Sequence, residues 1–513
     1  MAIIDFFDRG WRINPNGPAY IQDDCRYSFT QIGELSCRIA NALLAEGVPS
    51  GTKGAVWSDN DVTAWACTLG LWRANLCWIP IGAWSRAEES EFILDAFDCE
   101  ILFFQENFRP VIEELRPRLP KIKRWICIET DLTDWTGAHS SAPPKVAYHM
   151  DDVVALSPTG GTTGVPKGVM NTHRSLQTFC AHFMIGCPYE ADQPPVNLAA
   201  APMTHTSGLL AMPCIARGGT VVVITKPDPA LLLAAIPKYQ VTEFFLPPTV
   251  IYRLLDIPDL AKKVDFGSLK YFLYGAAPMS VEKLKQAIQT FGPVMMGGYG
   301  QTECPLTISF LPPSEHFAEG VLASDARLSS VGRPNPLIRV EILNDDNQIV
   351  AAGETGEICV YGDLLMKGYY KAPDKTAETI VDGWLHTGDV GHIDGDGYLH
   401  ITDRKKDMII SGGFNVYPSE VEQVIWGHSA VQDCAVIGVP DAKWGEAVKA
   451  VVELNEGQSV TAEELIALCK ERLGSVKAPK SVDFVANLPR SPAGKVLKKD
   501  LRRDYWQDAN RQI

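Results

Sequence analysis

The chain has 513 residues, of which 46% are hydrophobic and 21% are charged, and its formal net charge is −15. These values are typical of a soluble globular protein of two or three domains, and they exclude a disordered chain, a disulfide-stapled miniprotein and a collagen-like fibre. The acidic balance argues against a surface that coats nucleic acid. No apolar run approaches the roughly 18 residues needed to span a bilayer. Asp5, Asp8 and Arg9 interrupt the segment where a secretory signal would need an apolar core, so export is not expected.

The thirteen cysteines are scattered along the chain, with no C-x-x-C pair among them. No metal-ligand spacing is therefore visible. Scattered cysteines in a large acidic chain are typical of small core residues in a reducing compartment, and we predict a cytoplasmic protein.

Helix and strand patterns follow one another along the chain. Apolar residues recur at helical spacing over 32–43, with Thr30 as the predicted cap and Gly47 as the stop. From about residue 150, short continuous apolar runs alternate with helical patterns, which predicts an α/β fold with buried parallel strands. The strands are predicted at 153–156, 196–201, 221–224, 241–246, 271–274 and 294–296, and the helices at 176–183, 209–216, 231–236, 250–255 and 281–290.

The pattern changes after residue 330. Residues 331–400 contain many short β segments and Asp-Gly turns at 382, 394 and 396. A smaller α+β pattern follows a basic stretch at 404–406, and Thr461 begins a capping box. We predict a large domain over 1–403, a hinge at 404–406 and a small domain over 407–513. Residues 404–513, the hinge and small domain together, hold 16 Lys/Arg and 15 Asp/Glu, so the negative charge belongs to the first 403 residues.

One glycine-rich loop follows a predicted strand: Ser157-Pro-Thr-Gly-Gly-Thr-Thr-Gly-Val-Pro-Lys-Gly168. Backbone N–H groups, threonine hydroxyls and a lysine suit a polyphosphate. The loop is not a Walker A motif, because Lys167 follows no glycine and Gly168 stands at the Ser/Thr position. A single glycine-rich loop is also compatible with an ordinary surface turn.

Further motifs decide between these readings. They are Tyr299-Gly-Gln-Thr-Glu303, Trp384-Leu-His-Thr-Gly-Asp389, Asp403-Arg-Lys-Lys-Asp-Met-Ile-Ile-Ser-Gly-Gly413, Pro418-Ser-Glu-Val-Glu422 and Pro489-Arg-Ser-Pro-Ala-Gly-Lys495. With the loop, they resemble in content and order the adenylate-forming superfamily of acyl-CoA synthetases, aryl-CoA ligases, adenylation domains and firefly-type luciferases. The resemblance covers essentially the whole chain. It implies an αβαβα-layered large domain with a β-rich subdomain, and a mobile α+β lid.

The resemblance also assigns expected roles to individual residues. Catalytic roles fall on Lys495, Thr302, Glu303 and His205, with Glu303 as the Mg²⁺ ligand. ATP or AMP would be held by Thr159, Gly160, Gly161, Thr162, Thr163, Gly164, Lys167, Gly275, Ala276, Ala277, Tyr299, Gly300, Asp389 and Arg404. Lys406 would be the hinge residue, and Gly412, Gly413 and Phe414 would line a coenzyme A tunnel. The acyl pocket would include His205, Thr206, Gly297, Gly298 and Cys304. Without the resemblance, Tyr299 is an ordinary core aromatic, Asp389 a turn residue and Lys495 a surface lysine.

The expected activity is that of an ATP-dependent acid–CoA ligase. Amino-acid-activating relatives carry aspartate where this chain has His205, so a fatty or aryl acid is the expected substrate. The chain ends at Ile513, shortly after Lys495, and free coenzyme A is therefore the expected acceptor. A luciferase-like oxygenase and a non-catalytic binding protein of the same fold are the alternatives, and a homodimer is left open.

Overall fold

The first part of the chain contributes six strands and six helices to a layered α/β body. The computed structural model describes residues 1–83, 85–159, 166–225, 228–405, 407–441, 444–490 and 496–506, with the side chains of residues 205, 206 and 504 outside the description. Its first strands are β1 (Pro18–Gln22), β2 (Cys25–Ser28), β3 (Lys53–Trp57), β4 (Cys77–Ile81), β5 (Cys99–Phe104) and β6 (Arg124–Cys127). Its first helices are α1 (Ile4–Ile13), α2 (Phe29–Ala45), α3 (Val62–Arg73), α4 (Ala87–Ala96), α5 (Arg109–Leu115) and α6 (Leu132–Gly137), with short 3-10 turns at Glu106–Phe108 and Arg116–Arg118.

The cap of α2 differs from the predicted one. Ser28 is the N-cap: its hydroxyl accepts from the backbone N–H of Gln31, and the Gln31 side chain accepts from the Ser28 N–H. Thr30 lies inside the helix, where its hydroxyl donates to the carbonyl of Pro15. Ser28 has an extended backbone and Gln31 stands three residues further on, so two reciprocal hydrogen bonds form. A cap at Thr30 has no such second hydrogen bond, and the helix therefore begins after Ser28.

The predicted alternation of strands and helices after residue 150 is confirmed. The strands are β7 (Val153–Thr159), β8 (Lys167–Thr172), β9 (Val196–Ala199), β10 (Thr220–Val223), β11 (Glu243–Leu246), β12 (Tyr271–Gly275) and β13 (Met295–Tyr299). The helices are α7 (His173–Gly186), a π-helical turn (Met203–Ser207), α8 (Gly208–Ala216), α9 (Pro229–Tyr239), α10 (Pro248–Leu255), α11 (Leu260–Lys263) and α12 (Val281–Phe291).

Short strands then build the β-rich part. They are β14 (Ser309–Leu311), β15 (Phe317–Ala318), β16 (Val321–Leu322), β17 (Arg333–Pro334), β18 (Ile338–Leu343), β19 (Gly356–Gly362), β20 (Gly368–Tyr369), β21 (Ile380–Val381), β22 (Trp384–Ile393) and β23 (Leu399–Arg404), with α13 (Asp325–Ser329), α14 (Pro373–Thr379) and a 3-10 turn (Pro313–His316). Asp382 and Gly383, both at positive φ, form the two-residue turn between β21 and β22. Such a turn matches the twist of a hairpin, as the Asp-Gly pair predicts.

Two large sheets pack with helices between and outside them. The nine-stranded sheet has the order β17-β14-β13-β12-β11-β9-β10-β1-β2, and the seven-stranded sheet has the order β20-β8-β7-β4-β3-β5-β6. Strands β9 to β13 that are neighbours in the sheet pair in parallel, as predicted. One apolar core joins both sheets to α1, α2, α3, α7 and α8, while separate cores lie on the two outer faces. The αβαβα layering expected from the sequence is therefore present.

The last part of the chain forms a smaller α+β unit around its own core. It contains β24 (Ile409–Ser411), β25 (Phe414–Val416), β26 (Val431–Asp441), β27 (Gly445–Leu454), β28 (Ser481–Val485), α15 (Pro418–Trp426), α16 (Ala462–Lys477) and α17 (Lys498–Trp506). Thr461 caps α16 in the predicted box with Glu464.

The cysteines are core residues, as their scatter predicted. All thirteen are free thiols, and only Cys25 is exposed. Among the described residues, no helix is both long enough and apolar enough to cross a bilayer.

Candidate active site

The candidate site begins where β12 and β13 end side by side. Gly275 pairs with Gly298 across the two strands. A Cβ on Gly275 would lie 2.5 Å from the Gly298 carbonyl oxygen, and the next residue, Ala276, has φ +67°. Only a glycine permits this close approach, and the small residues Gly275, Ala276 and Ala277 lie at this edge of the sheet, where Tyr299 ends β13.

A buried carboxylate, Asp389, lies next to this edge. Asp389 on β22 pairs in register with Arg404 on β23, and the Arg404 Nε lies 2.6 Å from Asp389 Oδ1. On the other side, the Tyr299 hydroxyl donates to Asp389 Oδ2 at 2.6 Å. Asp389 is only 3% exposed. Donors from two sheets thus hold this carboxylate in one orientation, although 90 residues separate it from Tyr299 in the chain.

Burial and the charge of Asp389 shift the pKa values of Tyr299 and Arg404. Burial raises the pKa of Tyr299 well above its usual range, and the Asp389 carboxylate raises it further, so the hydroxyl stays a hydrogen-bond donor. Burial lowers the pKa of Arg404, but the attraction of Asp389 prevails and the net pKa is raised. Arg404 therefore keeps its positive charge at every physiological pH.

Gln301 is a member of this group that the sequence reasoning missed. Its side-chain amide donates to Asp389 Oδ2 at 2.7 Å and to the carbonyl of Thr387 at 2.8 Å. The Thr387 hydroxyl accepts from the Asp389 N–H at 3.1 Å. Gln301 stands inside the Tyr-Gly-Gln-Thr-Glu motif, which was the available signal, but its partner is visible only in the folded chain.

A second group gathers around Glu303. Tyr369 donates its hydroxyl to Glu303 Oε1 at 2.8 Å, and the Lys167 Nζ lies 4.7 Å from the centre of the Tyr369 ring. Pairing of β20 with β8 places Tyr369 opposite Val169, two residues from Lys167. Tyr369 was not predicted, because no motif contains it. The structure thus brings the lysine of the glycine-rich loop to the predicted metal ligand.

The glycine-rich loop is described only at its two ends. Thr159 pairs with Lys167 across the antiparallel β7–β8 hairpin, so the loop starts and ends at one place. Gly160, Gly161, Thr162, Thr163 and Gly164 lie outside the described residues. Thr302 is half-buried, and its carbonyl accepts from the Asn171 side chain at 3.4 Å.

The predicted acyl-pocket residues have different surroundings. A Cβ on Gly297 would lie 2.9 Å from the Tyr274 hydroxyl oxygen, so this glycine packs closely against Tyr274, and its place in the acyl pocket stays a prediction. At Gly298 the nearest atom to such a Cβ is 3.6 Å away, on Phe310. Cys304 is fully buried, and burial raises the pKa of its thiol.

Three other predicted residues are placed by backbone alone or by close packing. His205 and Thr206 belong to the π-helical turn before α8, and their side chains lie outside the description. Gly300 lies against the backbone of Leu306, where a Cβ would come within 2.5 Å. Gly300 is therefore required by packing, whatever else it contacts.

The predicted tunnel residues form the turn between β24 and β25 in the small unit. Gly412 and Gly413 have φ +60° and +84°, which favours glycine at both positions. Phe414 is 60% exposed, and the Gly412 N–H donates to the Trp444 carbonyl at 2.8 Å. Lys406 and Lys495, the predicted hinge and catalytic lysines, lie outside the described residues.

Buried charges connect the small unit to the end of β23. The N–H of Ser419 donates to Asp403 Oδ2 at 2.8 Å. Lys498 on α17 pairs with the buried Glu422 at 2.8 Å, and Arg502 pairs with Asp407 at 2.9 Å. The Ser419 and Arg502 contacts therefore join α15 and α17 to Asp403 and Asp407.

Comparisons with known proteins agree with this geometry. The family model described as AMP-binding enzyme matches residues 7–370, and the model of the AMP-binding enzyme C-terminal domain matches residues 420–495. The medium/long-chain-fatty-acid–CoA ligase FadD8 of Mycobacterium tuberculosis is 42% identical over 380 residues, which is 72% of this chain and 65% of that protein. The feruloyl-CoA synthase of an Amycolatopsis species is 34% identical over 96% of this chain and 97% of its own length.

A solved structure matches the whole chain. The ATP-bound MatB of Rhodopseudomonas palustris has a TM-score of 0.89 and 28% identity, and the match covers 100% of both chains. The first family model alone spans well over half of this chain, with the site's two groups of residues inside or just beyond it. The chain therefore belongs to the AMP-binding enzyme family.

Proposed function

We propose that the protein is an ATP-dependent acid–CoA ligase that converts a fatty or aryl acid to its acyl-adenylate with release of pyrophosphate, and then transfers the acyl group to coenzyme A. The observation that carries the proposal is the buried carboxylate Asp389, held by Tyr299, Gln301 and Arg404. The names of the relatives, ligases for fatty acids and for ferulate, support the substrate class.

The Asp389 group is suited to the nucleoside of ATP. A carboxylate fixed by three donors keeps further lone pairs that accept the two ribose hydroxyls. The Tyr299 ring and the small residues Gly275, Ala276 and Ala277 would enclose the adenine. Arg404 neutralises the carboxylate and adds a donor near the ribose or the α-phosphate.

The Glu303 group is suited to the phosphates. Thr159, Thr162, Thr163 and Lys167 would hold the β- and γ-phosphates, and Thr302 the α-phosphate. The Glu303 carboxylate would hold Mg²⁺, since one carboxylate completed by phosphate oxygens and water is the usual ligand set of this ion. The Tyr369 hydroxyl donates to Oε1 of this carboxylate, and two carboxylate oxygens offer about four acceptor positions, so lone pairs remain for the ion and the residue fits it. When bound, Mg²⁺ would offset charge on the departing pyrophosphate.

The first half-reaction joins two anions. A carboxylate oxygen of the acid forms a bond to the α-phosphorus while the bond from that phosphorus to the pyrophosphate oxygen breaks. No protein base is needed, because a carboxylic acid is already ionised at pH 7. Catalysis then depends on position and on cations, and Lys495 and Lys167 would supply the positive charge.

The second half-reaction needs a different lid position. In the proposed cycle, the small domain rotates about Lys406, Lys495 withdraws, and the turn at Gly412, Gly413 and Phe414 lines the path of the coenzyme A thiol. The thiolate attacks the acyl carbon, and AMP leaves with the electron pair of the anhydride bond. His205 would stand beside the acyl carbon. The exposure of Phe414 supports a loop that is available to enter such a path.

The proposed division of the chain follows from this cycle: a body over 1–403, a hinge at 404–406 and a lid over 407–513. Because β23 runs to Arg404 and that residue pairs with Asp389, the first hinge residue also belongs to the nucleotide site. A homodimer and a cytoplasmic location remain predictions, and light scattering tests the first.

The test is a coupled assay of the purified chain with ATP, magnesium, coenzyme A and a panel of fatty and aryl acids. We expect AMP, pyrophosphate and an acyl-CoA thioester in equal amounts. Oxygen uptake with light or oxidised product would instead indicate the luciferase-like alternative. Failure of every acid to support ATP–pyrophosphate exchange would indicate a non-catalytic protein.

A further inference from the structure

A narrow cavity lies between the nine-stranded sheet and the helices α7 and α8. Its apolar wall includes Phe183, Leu210, Pro213, Phe245 and Leu273, and its empty volume is about 310 Å³ counted out to its mouth. In this conformation the side chains leave free space for about one water molecule. A ligand would enter by rotation of these side chains, which is common on binding.

One end of the cavity is polar. Asn197, Arg217 and Glu243 line it together with the apolar residues. The Asn197 amide donates to Glu243 Oε1 at 3.0 Å, and the Tyr189 hydroxyl donates to Glu243 Oε2 at 2.8 Å. Glu243 is 6% exposed. A buried carboxylate is costly unless its hydrogen bonds are supplied, so its place in an apolar wall calls for an explanation.

The Glu243 carboxylate keeps capacity for another donor. Two carboxylate oxygens offer about four acceptor positions, and the Asn197 and Tyr189 contacts use two of them. Arg217 directs its guanidinium to the carbonyls of Pro213, Met184 and Cys187. Burial raises the pKa of Glu243, and the net pKa stays raised although the Asn197 and Tyr189 hydrogen bonds and the charge of Arg217 lower it.

Strand register connects this end to the proposed adenylation site. Glu243 is opposite Tyr271 on β12, and Gly275, four residues further along the same strand, is opposite Gly298. Four residues of extended strand span about 13 Å. Leu273, which lines the cavity, lies two residues from both Tyr271 and Gly275. Its side chain is on the same face of β12 as Gly275. The cavity is therefore in line with the edge where the acyl-adenylate would form.

We infer that this cavity is the far part of the acyl pocket, and that Glu243, held by Tyr189 and Asn197, selects acids that carry a hydroxyl group at the end remote from the carboxylate. The inference rests on the proposed function. The hydroxyl donates to a free lone pair of the Glu243 carboxylate, and the apolar wall encloses the chain or ring between. An acid without this hydroxyl leaves that acceptor position of the Glu243 carboxylate without a hydrogen-bond donor.

The test compares matched acids that differ by one hydroxyl: 4-hydroxycinnamate with cinnamate, and ω-hydroxydecanoate with decanoate. The readout is kcat/KM for coenzyme A thioester formation by the full chain. For wild type, we expect the hydroxylated member of at least one pair to be favoured by about tenfold or more, since a hydrogen bond to a charged group contributes that much.

Two variants examine the role of Glu243 itself. We expect Glu243→Gln to reduce the preference severalfold, and the double variant Glu243→Met with Tyr189→Phe, which removes the acceptor with one of its donors, to abolish or reverse it. Glu456→Gln, at an exposed position of the small unit, is the matched control and leaves the preference unchanged.

The outcomes separate this inference from the proposed function. Thioester formation from all four acids with no preference in wild type overturns the inference alone, and this comparison does not depend on whether a variant folds. A variant that lowers kcat/KM for both members of a pair equally shows a structural role for Glu243, which also overturns it. Absence of any ATP-dependent thioester from these and the wider acid panel overturns the proposed function.

Discussion

The most informative perturbation is Asp389→Asn, because it changes one oxygen and leaves the shape of the site intact. In the wild type, Asp389 Oδ2 accepts from Tyr299 and Gln301, while Oδ1 faces Arg404. We expect the asparagine to turn its oxygen toward the two donors and its amide toward Arg404. The variant therefore loses the ion pair and one acceptor for the ribose.

The size of the effect follows from these contacts. A hydrogen bond to a charged group contributes about 1.5–3 kcal/mol. The Arg404 side chain is 43% exposed, so water screens the ion pair and the lower part of this range applies. About 1.5–2 kcal/mol of transition-state binding corresponds to roughly 10-fold to 30-fold in kcat/KM for ATP, since about 1.4 kcal/mol is tenfold.

The assay is acid-dependent ATP–pyrophosphate exchange across a range of ATP concentrations. Asp394→Asn is the matched control, because Asp394 lies just after the same strand and pairs with His400 at 3.0 Å, remote from Tyr299. A kcat/KM for ATP within threefold of wild type in the Asp389 variant would refute the assignment of this carboxylate to the nucleotide.

Three further expectations concern the phosphates, the lid and acid stability. Tyr369→Phe removes the hydrogen bond to Glu303, which at about 1 kcal/mol predicts a roughly fivefold lower kcat/KM for ATP at limiting magnesium; Tyr370→Phe, whose hydroxyl instead donates to Asp98, should leave this value unchanged. Lys495→Ala should abolish adenylation but spare thioester formation from supplied acyl-adenylate, and equal loss of both half-reactions would contradict the two-position lid. His173 is fully buried, and burial lowers its pKa to about 4 from 6.5. Since the unfolded chain binds the proton first, stability is fully present above pH 6.5 and declines as the pH falls toward 4. Calorimetric melting temperatures of His173→Gln should therefore fall less steeply than those of wild type over this interval, and parallel profiles would contradict it.

Much of the architecture could be predicted from local pattern. The continuous apolar runs after residue 150 indicated buried parallel strands, because a strand covered on both faces has no polar side. The capping box at Thr461 was correct because both of its hydrogen bonds are local. The cap at Thr30 was wrong for a local reason too: Ser28 offered a better box with Gln31.

The individual residues of the site are of two kinds: those that a motif indicated and those that only the folded structure identified. The ordered motifs pointed to Tyr299, Glu303 and Asp389, because residue types that serve one chemistry recur in one order. Tyr369 has no such motif, and its role follows from β20 pairing beside Lys167. Gly297 was assigned to the acyl pocket by the resemblance, whereas its close contact with the Tyr274 side chain on the neighbouring strand is visible only in the structure.

The sequence by itself determined an α/β fold through its periodicity. The family, the layering of the large domain and the type of chemistry followed from the resemblance of its short motifs to a known superfamily. Only the tertiary structure decided which groups share a space. The hydrogen bonds of Asp389 and the polar end of the cavity at Glu243 join residues from different strands and helices. Side chains that are distant in the chain meet only when sheet order and register are set, and single-sequence patterns carry no record of those pairings.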